Sequence, residues 1–153
     1  MPSRRDQIRM TDAEIDEFLA GRHTMNIATH SPDGTIHLVA MWYGFLEGCP
    51  VFETYERSQK VRNLERDPSI TALVEDGDDY DQLRGVEIVG RAEIVRDDER
   101  LVAAAMSVVD RYYPIDDPAD LEAAARGLMR KRVGVKIVAD KVVSWDHRKL
   151  AAG

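Results

Sequence analysis

A chain of 153 residues with 28 Asp and Glu against 21 Lys and Arg carries a formal net charge of -7. That balance argues against a broad nucleic-acid surface, which needs a surplus of cations, so any anion site must be local. With 44% hydrophobic and 32% charged residues, the composition is that of one soluble globular domain over 1–153, neither disordered nor membrane-embedded.

The N-terminal MPSRRDQIRM has no apolar core of signal-peptide length, and no later segment approaches the ~20 apolar residues of a membrane span. Thr11 followed by Glu14 is a capping-box pattern; Ile15, Phe18 and Leu19 supply an apolar stripe and Gly21 a stop, which predicts a short first helix. TMNIAT (24–29), the turn cluster SPDG (31–34) and TIHLVAMWYGF (35–45) predict a hairpin with a long second strand. EGCP then turns the chain into the strand VFET (51–54). Cys49, in that turn, is the single cysteine, so no internal disulfide and no Cys-built zinc cluster can form, and a cytoplasmic location is expected.

A helix is predicted from Ser58, with Val61 and Leu64 inward, ending before Asp67-Pro68. ITALVE (70–75) and GVEIVGRAEIV (85–95) read as strands, the second with a bulge or bend at Gly90. Asp97 and Asp98 can cap a third helix that turns Leu101, Ala104, Ala105, Val108 and Val109 inward, and a fourth helix lies around 121–130. VGVKIVADKVVSW closes the chain as a strand. Six strands with inserted helices make an α+β pattern, suited to a small closed barrel.

Two clusters stand out. In TYERSQKVRNLERDP (54–68), Arg57 and Lys60 flank a helix start, where the helix dipole favours acids rather than cations. The charges can form a solvated face with Glu56 and Glu65; with Thr54, Ser58 and free helix N–H groups they can instead hold an anion. The second cluster is Met41, Trp42 and Tyr43, in which strand alternation puts Met41 and Tyr43 on one face and Trp42 on the other. His23, His30 and His37 recur every seven residues but give no metal-ligand geometry, so no metal is expected. His147, beside Trp145, either touches a ligand or ends the terminal strand. No hydrolase triad, HExxH or phosphate-loop motif is present, and GVEIVG is too glycine-poor for a dinucleotide fingerprint.

Four blocks in order, TMNIATHSPDGTIHLVAMWYGF, VFETYERSQKVRNLERDPSITALV, VEIVGRAEIVRDDE and KVVSWDHRKL, resemble the flavin- and deazaflavin-binding split-barrel family typified by pyridoxamine phosphate oxidase. The resemblance implies a six-stranded Greek-key split β-barrel with peripheral helices, forming a homodimer with cofactor at the subunit interface. It implies that Thr54, Ser58 and Lys60, helped by Arg57, hold the cofactor phosphate, and that Val39, Ala40, Met41 and Trp42 lie against the ring. Asn63, Trp145 and Lys149 join this cofactor set.

Departures choose among the family's members. The chain reads Ser58-Gln59-Lys60 where the pyridoxamine phosphate oxidases commonly have Ser-Arg-Lys, and it ends in WDHRKLAAG without their arginine-bearing substrate motif, which argues against oxidation of vitamin B6. SQKVRNLERDP and SWDHRKL look closest to reductases that use the deazaflavin coenzyme F-420, whose acidic tail would suit Arg57, Arg62, Arg66 or Lys149. The preference for arginine over lysine accords with an actinobacterial source. The resemblance therefore implies hydride transfer from reduced F-420 to an electron-poor planar substrate of the enone, quinone or tetrapyrrole type. An FMN-dependent oxidoreductase and a non-catalytic F-420 carrier stand as the alternatives; no side chain is singled out as acid or base.

Overall fold

A computed structural model describes residues 1–151. A short helix α1 (Arg4–Gln7) precedes α2 (Asp12–Ala20), which starts as its sequence predicts, with the Thr11 hydroxyl accepting from the Glu14 N–H. Seven strands follow: β1 (Met25–His30), β2 (Ile36–Met41), β3 (Gly44–Leu46), β4 (Cys49–Tyr55), β5 (Ser69–Asp76), β6 (Arg84–Val95) and β7 (Arg132–Asp146). Helix α3 (Gln59–Arg66) lies between β4 and β5, while α4 (Asp98–Tyr112) and α5 (Pro118–Leu128) lie between β6 and β7.

The count of seven corrects the expected six. The segment 35–45 is two strands, broken at Trp42 and Tyr43. Tyr43 drives into the core and donates from its hydroxyl to the Leu19 carbonyl at 2.5 Å, while Trp42 turns out and stacks on Tyr112 with ring planes 2° apart. Gly44 then runs so close to α4 that a Cβ there would lie 2.6 Å from the Ser107 hydroxyl. The expected irregularity at Gly90 is present as a register shift in the β6–β7 ladder, where a Cβ would collide with the Val138 carbonyl at 2.1 Å.

All pairings are antiparallel, in the order β2-β1-β5-β6-β7-β4-β3. The sheet curls: Met25 and Ile27 of β1, Phe52 of β4, Ile70 and Val74 of β5, Val86 and Ile88 of β6 and Val135 and Ile137 of β7 meet in one buried cluster. Val39 and Met41 of β2 and Phe45 of β3 pack against the same cluster, so strands at the two ends of the order share a core. Burial of this apolar surface is the main force that closes the sheet on itself. Helix α3 plugs one end with Val61 and Leu64, and α4 covers the outside of β3 and β4 through Ala104 against Leu46, Val51 and Val95. Among the described residues no helix is long and apolar enough to cross a membrane.

Arg111, near the end of α4, ties these layers together. Its guanidinium donates to the carbonyls of Tyr43 (2.9 Å), Ala20 (3.1 Å), Leu19 (3.3 Å) and Gly21 (2.8 Å), and it lies 4.6 Å over the Tyr43 ring. The orphan carbonyls at the end of α2 are thereby satisfied by a side chain from another helix. Arg111→Ala is expected to lower stability by about 3 kcal/mol, the scale for loss of several charge-assisted hydrogen bonds. Arg111→Lys should recover less than half of that, since an ammonium cannot span the same fork. Urea unfolding of both variants provides the check, and an alanine variant as stable as the wild type would contradict it.

Candidate cofactor site

β4 hydrogen-bonds β7 along Val51–Tyr55 but meets β3 only over Cys49–Val51. From Phe52 onward its other edge therefore has no strand beside it, and β2 likewise pairs only with β1. These two open edges border a cleft of about 380 Å³: Ala40, Met41 and Trp42 come from the β2 side and Glu53 from β4. Val108, Tyr113, Leu128 and Arg132 complete it. Unpaired edge backbone offers N–H donors and C=O acceptors to a flat polar ligand laid along it, as a third strand would use them.

Of the four residues expected along a ring, Ala40, Met41 and Trp42 line this cleft and Val39 does not. Met41 and Val39 turn toward the core, while Ala40 and Trp42 face outward. Trp42 is held by its stack on Tyr112 and by an edge contact to Tyr113, with ring centroids 5.6 Å apart. A second cleft of about 620 Å³ shares Tyr113, Leu128 and Arg132 with the first and is bordered by Tyr55, Arg130 and Lys131.

At the end of β4 and the start of α3 stand the residues expected to hold a phosphate. Thr54, buried, points to the opposite face from Glu53, and its hydroxyl donates to the Ser58 Oγ at 3.4 Å. Ser58 is the N-cap of α3, yet its side chain caps nothing, so the N–H groups of the first turn keep no side-chain acceptor. Lys60 is only 9% exposed, and burial holds its ammonium below the ordinary lysine pKa. No hydrogen bond or ion pair to Lys60 is found among the described residues. The nearby carboxylates are engaged elsewhere: Glu56 and Glu65 both turn to Arg96, at 3.6 and 3.5 Å. A half-desolvated cation, two hydroxyls and free helix N–H groups are the donor set of a phosphate site. The residues present fit that group.

Other expected members stand apart. Asn63 is fully buried, its amide donating to the Thr29 hydroxyl at 3.0 Å and accepting from Gln59 at 2.8 Å, so it joins α3 to β1 with its side chain already used. Trp145 lies over Gly85 toward the far end of β7, and Lys149 pairs with Glu14 at 2.7 Å and donates to the Arg9 carbonyl. Within one chain neither borders the cleft. Arg57 and Arg62 are exposed, and Arg66 donates to the His30 carbonyl. The His147 Nδ1 bonds the Tyr80 carbonyl at 2.7 Å. Among the described residues no cluster of three metal-ligating side chains occurs.

Glu53 is the residue that sequence reasoning missed. It is 5% exposed, and neither carboxylate oxygen has a hydrogen-bond partner among the described residues. Burial pushes its pKa up to about 7, opposed by the positive charge of Arg132. The available signal was a charged residue in VFET on the same strand face as the fully buried Val51.

A curled antiparallel sheet left open between two edges, with helices packed around it, is the architecture of a split barrel. The family model for pyridoxamine 5'-phosphate oxidase matches residues 11–146, and the chain belongs to that family. Among solved structures, the chain is similar to a conserved hypothetical protein from Mycobacterium tuberculosis, at 45% identity and a TM-score of 0.91, covering 98% of this chain and 93% of that one. It is similar to an F420 reductase at 27% identity and a TM-score of 0.61, covering 83% and 94%. A heme storage protein from Vibrio cholerae, at 15% identity and a TM-score of 0.67, shares the fold over 87% of this chain and 94% of that one. Among curated proteins no relative matches.

The Glu53 carboxyl makes stability depend on pH with a definite sign. Its pKa lies near 4.5 in the unfolded chain and about 7 in the fold, so between those values the native state binds the proton more tightly. Stability therefore falls as pH rises through that window, and the loss is complete above it. Glu53→Gln removes the charge and should be more stable than the wild type at pH 8 by about 2 to 3 kcal/mol, with the difference shrinking toward pH 5. Urea unfolding at both pH values decides it; a constant difference would mean that the carboxyl is not titrating there.

Proposed function

We propose that this member of the family is an oxidoreductase in which reduced coenzyme F-420 supplies a hydride to an electron-poor planar substrate of the enone, quinone or tetrapyrrole type. The observation that carries the reading is Lys60, a partly desolvated cation with no anionic partner among the described residues, at a helix start with two hydroxyls. A phosphate there restores the missing countercharge. The split edges would receive the ring along Val39 to Trp42, and the apolar wall of Met41, Trp42 and Val108 would exclude water from the reacting face.

The likeness to an F420 reductase and the exposed Arg57 and Arg62, near which an acidic tail could run, favour F-420. FMN is the second reading, because the family is that of a pyridoxamine phosphate oxidase and its phosphate would use the same cradle. A carrier without catalysis would bind F-420 but leave its reoxidation by acceptors unaccelerated. The same reading makes the protein a homodimer. Ile36 and Leu38 on the open strand β2 are 67% and 68% exposed, an apolar edge that a second copy would cover. Trp145 and Lys149, remote from the cleft of their own chain, could then serve the partner's. Light scattering at micromolar concentration should give twice the 17.3 kDa chain mass; a monomer that still binds cofactor would count against it.

Fluorescence titration with F-420 species of different tail length and with FMN, at low and physiological salt, tests cofactor choice. F-420 should bind, longer tails slightly tighter, and that advantage should shrink with salt because exposed pairs contribute only ~0.2 to 1 kcal/mol each. Lys60→Met should weaken binding of either phosphate-bearing cofactor by roughly 1.5 to 3 kcal/mol without destabilising the free protein, since it removes a partly desolvated charge that has no partner there. Tight FMN binding with no F-420 binding at either salt would overturn the F-420 reading in favour of FMN.

A further inference from the structure

We propose that Glu53 is the proton donor of this cleft, delivering a proton to the substrate atom that gains an electron pair when hydride adds to the neighbouring end of its double bond. This rests on the oxidoreductase reading above and assigns the acid that reading leaves open.

Reduction of an electron-poor C=C bond needs one hydride and one proton. As hydride forms a C–H bond at the β-carbon, the C=C electron pair moves toward the carbonyl and leaves an enolate. The Glu53 O–H bond then breaks, its proton forms the second C–H bond at the α-carbon, and its electrons remain on the carboxylate beside Arg132. Solvent reprotonates Glu53 before the next turnover. The substrate gains two electrons and the dihydro-cofactor, a reduced deazaflavin or flavin, loses two, so the step balances.

The cleft leaves few other donors. Ala40, Met41, Val108 and Leu128 carry no transferable proton, and Trp42 is a weak acid. Of the titratable and charged groups that face Glu53, Arg132 comes from β7 and Tyr113 from the end of α4; Tyr55 lies two residues along the same face of β4. The cleft-lining residues of β2 and α5 bring no charge. Arg132 is permanently charged, its guanidinium 4.5 Å over the Tyr55 ring, and Tyr113 stands at the open rim. Glu53 alone combines burial, an unpartnered carboxyl and a position on the cleft wall, in an environment that keeps much of it protonated near neutral pH. Arg132 is suited to receive the carboxylate charge that forms.

The test compares wild type, Glu53→Gln and Glu53→Asp, each saturated with whichever cofactor binds, using 2-cyclohexenone and menadione as acceptors. An enone needs slow carbon protonation, whereas a reduced quinone takes protons on oxygen directly from water. Glu53→Gln should lower enone turnover at pH 7 by about 10²-fold or more. Its loss with menadione should be at least ~10-fold smaller, and Glu53→Asp should restore part of the enone rate. The wild-type enone rate should fall above pH 7, and that limb should vanish in Glu53→Gln. Independently of turnover, a ¹³C-carboxyl titration of the cofactor-free protein should contain one resonance with a pKa well above the ordinary glutamate value, absent from Glu53→Gln. Equal losses with both acceptors, an unchanged enone rate, or a Glu53 resonance titrating as an ordinary glutamate would each overturn the assignment while leaving the oxidoreductase reading intact. Failure of the wild type to accelerate reoxidation of either cofactor by either acceptor would instead overturn the oxidoreductase reading, and this assignment with it.

Discussion

The strict alternation of side chains along β4 is the constraint on which the rest of the structure depends. Successive residues of a strand must face opposite sides, so Phe52 and Thr54 go to the barrel interior while Val51 and Glu53 go to the layer under α4. One four-residue stretch therefore supplies a core side chain, the Thr54 hydroxyl that meets Ser58, a contact for the covering helix and the buried acid of the cleft. A one-residue slip of its register against β7 would exchange these roles all at once, putting Glu53 into the apolar core. The fully buried Val51, Phe52, Val133 and Val135 oppose such a slip.

The cleft follows from where pairing stops. β3 is three residues long because Tyr43 is pulled inward and Gly44 is pressed against α4, so β3 cannot continue beside β4 past Val51. Arg111 secures that bend from outside by binding the Tyr43 carbonyl as well as the end of α2. The break that corrects the strand count is thus also what leaves an open edge opposite β2. Fold irregularity and site are the same feature, as expected where backbone regularity is given up next to a binding surface.

Much of this was legible from local chemistry. Caps at Thr11 and Asp97 and the stop before Asp67-Pro68 rest on interactions within a few positions of each other, while the irregularity at Gly90 and the inward residues of α4 were marked by residue type and spacing alone, although their partners are distant in sequence. The expectation of an anion near Lys60 came from cations at a helix start that conflict with the helix dipole. The break at Trp42–Tyr43 was not legible, since it depends on a carbonyl in α2 and a side chain in α4, separated from it by more than twenty and sixty positions. Glu53 was hidden for a related reason: a lone glutamate in a short strand looks like an exposed position until the helices that bury it are in place.

Two mostly buried titratable residues, Lys60 and Glu53, lie near one end of β4, yet no ion pair joins them. Had they paired, each would have met the other's electrostatic need, and neither a phosphate nor a substrate would find an unanswered group. Alternation prevents it: Glu53 lies on the outer face of β4, whereas Lys60 rises from α3 beside the inward-facing Thr54. Both groups are left destabilising in the free protein, by an amount that the extensive core and the Arg111 anchor can offset. Groups left without partners in this way are what selection for folding alone would remove, and they sit on opposite sides of one strand: Glu53 on the wall of the cleft and Lys60 in the first turn of the helix that follows β4.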